Sequence, residues 1–335
     1  MDLQTLWFAA VAVLWTGFLL LEGFDFGVAA LLPVLGRRTT DRHLMLRSIG
    51  PLWDGNEVWL ITAAGAMFAA FPGWYATWLP ALYLPFVLVL FGLIIRAVAF
   101  EWRHSHHTAA WDSSWTWVIT AGSLIAALGV GAALGATTLG LPIDAAGNRV
   151  GGAFAGLGWA ALLGGVAVLA FSLVHGAMFL ALKTDGPLRL AARTFALRWS
   201  PVAALPLLLW AGLVHLRYGT PVTAVLWLVA ALAVIVAWAR IRVGREGQAF
   251  AAWGAMLVAA AATVFGAAYP VVVPSTIDPA FDVTISTASV SDYTLTVMTW
   301  AAGVGLPVVL AYQAWTYWVF RKRLTAEPQH DQVAV

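Results

Sequence analysis

The sequence predicts an all-α polytopic membrane protein, one transmembrane domain over residues 1–335 built from nine helices. The N-terminus is expected outside and the C-terminus in the cytoplasm. Three observations carry this. The chain is 61% hydrophobic and only 10% charged over 335 residues, with a mean hydropathy of +0.84, whereas a soluble domain carries roughly a quarter charged residues. Apolar runs of about 20 residues, the length that crosses a hydrocarbon core, recur along the whole chain. Lys and Arg are confined to alternate breaks between those runs.

The runs lie near 5–35, 50–71, 78–103, 114–139, 152–182, 198–216, 221–240, 248–270 and 292–320. The first lacks a basic leader and a small-residue cleavage site, so it reads as a retained helix and not a signal peptide. The second closes on "MFAAFP" and the eighth on "FGAAYP", where Pro72 and Pro270 stop a helix. The similarity of those two stops leaves open both independent helix ends and a duplicated bundle unit. Short breaks such as "PGWYATW" and "LRYGTP" separate neighbours. The largest break, 271–291, is rich in Pro, Ser and Thr and free of Lys and Arg. Several Trp residues, among them Trp7, Trp74, Trp78, Trp111, Trp115 and Trp318, fall where an interfacial aromatic belt is expected.

Orientation follows from the basic residues. Arg37, Arg38, Arg42 and Arg47 follow the first run, and Arg96 and Arg103 end the third. Lys183, Arg189, Arg193 and Arg198 follow the fifth, Arg240, Arg242 and Arg245 the seventh, and Arg321, Lys322 and Arg323 the last. Only Arg149 and Arg217 fall on the opposite side. Cytoplasmic loops collect such charge, and an odd number of crossings satisfies the pattern.

Ionisable residues inside spans are costly and mark function by default. Glu22 and Asp25 in the first run and Asp54 and Glu57 in the second are spaced by three, on one face of each helix. Arg96 sits in the third. At 1.5 Å per residue Asp25 lies about 30 Å along its helix, and the second helix starts, and the third ends, on that same side. These five groups from three successive helices are therefore expected together in the cytoplasmic leaflet. Fully ionised, four acids and one base would leave a charge of −3, so some of the acids are expected to hold protons. Two readings stay open. The cluster passes protons inward from the cytoplasm, or Arg96 merely ties helices together while the other acids reach the headgroups. Gly23 and Gly27 flank Asp25 as a small-xxx-small pair, which predicts close helix packing.

Without cysteine the chain has no disulfide, iron–sulfur cluster or thiolate metal site. His43, His104, His106, His107 and His330 fall in loops or the tail. "HSHH" at 104–107 reads as a solvated basic loop before it reads as a metal site. His175 and His215 lie at opposite depths, so they do not form a pair that could hold one haem from both faces. No haem-binding, metal or catalytic residue is expected in this chain.

Several blocks together carry a family resemblance: "GFDFG" (23–27), "IGPLWDGNEVWLI" (49–61), "FAAFP" (68–72), "RAVAFEWR" (96–103), "FGAAYPVVVPS" (265–275) and "LTVMTW…YQAWTYW" (295–318). In order and spacing the chain resembles subunit II of cytochrome bd quinol oxidases, most specifically through "WDGNEVWL". The resemblance implies a haem-free subunit paired with a homologous subunit I that holds low-spin haem b, high-spin haem b and haem d. It also implies a bacterial plasma membrane protein, in a complex that oxidises quinol at the outer face and reduces oxygen to water. Its protons are drawn from the cytoplasm, so a gradient builds without pumping. Small accessory subunits and bilayer lipid are further expected partners, and nucleic acid is not. The Ala- and Trp-rich composition leans toward a high-GC actinobacterial source, in which the quinol would be a menaquinol. The GFD aspartate of the family, implicated in proton uptake, corresponds to Asp25. Asp54 and Arg96 match further polar positions, and Glu57 stands where some members have Gln. His175 falls where other polar residues occur. A proton-coupled secondary transporter is the alternative, although such proteins place their polar site near the midplane, often on broken helices.

Overall fold

The computed structural model describes residues 2–106 and 108–325. The chain runs α1 (Leu3–Ala30), α2 (Leu32–Leu35), α3 (Thr39–Ile49), α4 (Trp53–Ala70), α5 (Pro72–Ala81), α6 (Tyr83–Trp102) and α7 (Ala109–Leu139). It continues as α8 (Trp159–Lys183), α9 (Gly186–Ala203), α10 (Leu205–Tyr218), α11 (Pro221–Arg242) and α12 (Glu246–Ala268). A short antiparallel pair, β1 (Val271–Val273) and β2 (Val283–Thr284), precedes α13 (Ile285–Ala288) and α14 (Asp292–Val319). Eight helices among the described residues are long and apolar enough to cross a membrane, with α9 and α10 counted as one run. Each of the nine predicted runs is helical over most of its length. The exception to the crossing criterion is α4, whose apolar stretch is diluted by "DGNE" at its head.

Proline and glycine set boundaries that hydropathy misses. The run predicted over 5–35 ends at Ala30, because the Pro33 ring cannot sit against the Ala29 carbonyl in a continuous helix. The run predicted over 78–103 breaks at Leu82. There Pro85 leaves the Ala81 carbonyl without its helical donor, and Arg149 Nη1 supplies one at 3.2 Å. The helix predicted from 152 begins at Trp159, after Gly151, Gly152, Gly156 and Gly158, each a poor helix former. The run predicted over 198–216 extends back to Gly186. Its early arginines lower the hydropathy yet are satisfied on one side: Arg189 pairs with Glu246 at 2.9 Å and Arg193 donates to the Ile241 carbonyl at 3.0 Å.

The core is α1, wrapped by α4, α7, α8 and α12. Close packing depends on missing side chains, as expected around Asp25. A Cβ on Gly27 would overlap the Ser172 carbonyl of α8, and one on Gly176 would overlap the Val28 nitrogen of α1. The backbones therefore touch. The same device joins α6 and α7, where a Cβ on Gly122 would stand 3.0 Å from the Arg96 Cβ. α14 is the least buried of the eight spans.

The two ends of the bundle differ. At one, Leu141 N donates to the Pro274 carbonyl and Thr276 N to that of Leu141, both at 2.9 Å, so the long 271–291 break caps the α7–α8 loop. The echoing stops meet here: Val290 N bonds the Ala70 carbonyl and Ile285 N that of Pro270. Arg217 and Arg149 belong to this end. At the other end Lys183 holds the carbonyls of Phe320 and Lys322, and Arg103 pairs with Asp112 at 3.1 Å.

Candidate functional site

Arg96 projects from α6 into the seam between α1 and α4 and is fully buried. One guanidinium nitrogen, Nη1, lies 2.5 Å from Glu22 Oε1 on α1 and 3.2 Å from Glu57 Oε2 on α4. The contact to Glu57 is a charge-assisted hydrogen bond, the strong kind, whereas that to Glu22 is an ion pair without hydrogen-bond geometry. Three rings surround the guanidinium carbon: Phe26 at 4.9 Å, Phe100 at 5.3 Å and Trp53 at 5.8 Å. Each lies within cation–π range, and together they exclude bulk solvent. Glu22 is fully buried, while the Glu57 side chain keeps 20% exposure. Glu57 thus forms the solvent-facing edge of the cluster.

Asp25, one turn further along α1, is also fully buried. Asn56 Nδ2 donates to its Oδ2 at 2.7 Å. The amide oxygen of Asn56 in turn accepts from Tyr317 OH at 2.8 Å and from Gln313 Nε2 at 3.4 Å, both on α14. Gln313 Oε1 accepts from Trp59 Nε1 at 2.8 Å. A polar chain therefore runs from the buried carboxylate across α4 to α14. Both Glu22 carboxylate oxygens, Asp25 Oδ1, and Arg96 Nε and Nη2 remain without a hydrogen-bond partner among the described residues.

Four of the five predicted site residues meet here: Glu22, Asp25, Glu57 and Arg96. Asp54 does not. It is exposed in the first turn of α4 and makes no hydrogen bond or ion pair among the described residues. A three-residue spacing puts two side chains within about 60° on a helix, and here that difference separates a buried seam from the surface. Asn56, Gln313, Tyr317 and the aromatic box were missed. Asn56 and Gln313 carry an amide inside an apolar run, a signal the cost of buried polar groups makes visible.

The histidines lie apart. His175 Nε2 donates to the Leu20 carbonyl at 3.1 Å, and its ring stacks on Phe250 with centroids 4.3 Å apart. His215 bonds Thr223 at 2.8 Å. In "HSHH", His106 packs edge-on against Trp111. His107 and His330 lie outside the described residues, as does the side chain of His104. Among the described residues no group of three or more His, Cys, Asp or Glu is placed to hold a metal ion. An apolar groove of about 940 Å³ opens beside the cluster, lined by Phe24, His175, Phe250, Val258 and Tyr317.

A helical, multi-pass membrane protein with an ionic cluster buried toward one end of its bundle is the class defined by this geometry. Within that class the chain belongs to the family described as cytochrome bd terminal oxidase subunit II, whose profile matches residues 3–320. It is 40% identical over 330 residues to cytochrome bd ubiquinol oxidase subunit 2 of Bacillus subtilis, covering 97% of each chain. Cytochrome bd-I ubiquinol oxidase subunit 2 of Escherichia coli K12 is 34% identical, over 97% of this chain and 96% of that one. The fold is similar to a chain in the structure of bd oxidase from Geobacillus thermodenitrificans, with a TM-score of 0.78 over 96% of this chain and 99% of that one, at 18% identity. The chain is thus an integral membrane subunit of a cytochrome bd oxidase complex, which implies a partner subunit I.

Proposed function

We propose that this subunit supports the quinol-oxidising, oxygen-reducing chemistry of its partner and delivers protons to it from the cytoplasm. The observation that carries this reading is Arg96 Nη1 shared between a fully buried Glu22 and a partly exposed Glu57. Glu57 exchanges protons with the cytoplasmic side. Arg96 holds both carboxylates at one nitrogen and offsets their charge, so a proton passes from Glu57 to Glu22 without leaving a bare charge in lipid. Glu22 and Asp25 share a face of α1, and Asn56 fixes the Asp25 carboxyl for onward transfer. Asp54, at the surface, gathers protons near the entrance.

The reading includes nine crossings, with α4 as the least apolar, the N-terminus outside and the C-terminus in the cytoplasm of a bacterial plasma membrane. Residues 1–335 act as one transmembrane domain. The haems, low-spin b, high-spin b and d, belong to subunit I and supply the electron chemistry. His175, the most buried histidine, does not fit an axial ligand: its Nε2 is engaged by a backbone carbonyl and its ring is stacked between aromatic side chains. The exposed face of α14, with Trp300, Val304 and Trp315, is assigned to subunit I, because the polar chain from Asp25 ends on that helix. Menaquinol as the quinol and small accessory subunits complete the reading.

The test is Asp25→Asn in the assembled complex. Oxygen consumption with quinol is expected to fall about a hundredfold or more, the usual range for a lost proton-transfer group, with the haem spectrum of the partner retained. Undiminished turnover with all haems present removes the proton role.

A further inference from the structure

A second cavity, about 610 Å³, lies away from the ionic cluster at the same end of the bundle. One wall is the α1–α3 connection, with Val34, Arg37 and Arg38. The other is α9, with Leu190, Arg198 and Trp199. Helix geometry fixes its depth. The α9–α10 run of 33 residues is about 50 Å long, against roughly 30 Å of hydrocarbon. Counting about 20 residues back from Tyr218 reaches Trp199, so Arg198 and Trp199 stand at headgroup level and the start of α9 projects beyond it.

The charges in the cavity are not equivalent. Arg38 is paired with Asp41 at 3.1 Å, and outside the cavity Arg189 and Arg193 on α9 are bound to Glu246 and to backbone carbonyls. Arg37 and Arg198 are exposed, line the same cavity and form no ion pair among the described residues. The lining therefore carries an excess of positive charge over its single acid, Asp41. Beside these guanidinium groups stand Val34, Leu190 and Trp199, all exposed and apolar. A soluble anion would use the charges and leave that apolar wall bare. A molecule with an anionic head and an aliphatic tail uses both.

We propose that this groove binds one anionic phospholipid from the leaflet that meets this end of the bundle. Arg37 and Arg198 hold its phosphate, its acyl chains run past Val34 and Trp199 into the bilayer, and Leu190 flanks the headgroup from the projecting start of α9. The site would tie α9 to the α1–α3 connection, which otherwise meet through few side chains.

The test uses the purified oxidase complex in detergent, titrated with dioleoyl phosphatidylglycerol and read by native mass spectrometry. One lipid adduct is expected to fill first and to be several-fold favoured over dioleoyl phosphatidylcholine. Arg37→Ala with Arg198→Ala should lower its occupancy about tenfold or more. Arg240→Ala with Arg242→Ala, at the same face but outside the groove, should leave it in place. Leu190→Glu, which puts a carboxylate into the groove without removing an arginine, should also expel the lipid. Equal occupancy in wild type and the Arg37/Arg198 variant overturns the proposal. So does an equal loss in the Arg240/Arg242 pair, which would mean a diffuse basic face. Displacement of the lipid by millimolar inorganic phosphate would assign the site to a soluble anion instead.

Discussion

The Asn56 amide nitrogen lies 2.7 Å from Oδ2 of Asp25, so a residue of α4 holds the buried carboxylate of α1. Tyr317 fixes that amide from the other side at 2.8 Å. Orientation of the carboxyl therefore depends on three helices at once.

Asn56→Leu removes the donor and should slow oxygen reduction by the complex while changing the pH profile of turnover. Tyr317→Phe leaves Asn56 held only by the longer Gln313 bond and should cost about 1 kcal/mol of stability with a smaller change in the profile than Asn56→Leu. Steady-state oxygen uptake across pH, compared for the two variants, checks this. Matching profiles for Asn56→Leu and wild type would leave Asn56 as packing alone.

Arg96 offers a double-mutant cycle. Arg96→Met alone leaves Glu22 buried and unpaired, at a cost of about 3–5 kcal/mol, whereas Arg96→Met with Glu22→Leu should restore most of the stability. Turnover should stay low in both. Thermal unfolding of the complex separates the two effects, and a double variant as unstable as the single one would contradict the pairing.

The α1–α8 contact is predicted to tolerate no side chain. Gly27→Val should abolish accumulation of the subunit in the membrane, since a Cβ there already overlaps the Ser172 carbonyl. Gly65→Ala, with nothing within 4 Å of its Cβ, should be near neutral. Immunoblots of membranes from both strains provide the measurement.

Asp2 caps α1, its carboxylate accepting from Thr5 N at 2.6 Å, which holds its pKa below the usual carboxylate value of 3.8. A depressed pKa means the cap contributes at neutral pH and is lost as pH falls through the folded value. Asp2→Ala should therefore speed amide exchange in the first turn of α1 at pH 7 and make no difference in strong acid. Hydrogen exchange followed by mass spectrometry reads this directly.

Much of the fold was legible because a bilayer makes hydropathy nearly sufficient: each predicted run is mostly helical, and eight spans among the described residues meet the crossing criterion. What hydropathy misses is local backbone chemistry, at Pro33, Pro85 and Gly151–Gly158, where a missing N–H or a missing Cβ outweighs apolar content. The candidate site was legible as a set of charges, since Glu22, Asp25, Glu57 and Arg96 are costly in lipid and the structure brings them together. Helical spacing alone could not tell that Asp54 turns to the surface while Glu57 reaches Arg96. Nor could it pair Asn56 with Tyr317 across 261 residues, a contact set by where α14 packs.

α14 is bound to the rest of the chain through buried Leu295, the partly buried Met298 and Ala302, and a few polar points, among them Trp7 Nε1 to Thr299 Oγ1 at 3.0 Å, Gln313 and Tyr317, while most of its remaining surface is bare. A helix held this way is tied to the bundle by little more than a handful of hydrogen bonds and one short apolar seam. Subunit I, by trapping it, would at the same moment lock Tyr317 onto Asn56 and Asn56 onto Asp25. On the proposed proton role, assembly would thereby arm the carboxylate, and an orphan copy of this subunit would be a poor conduit that does not leak protons.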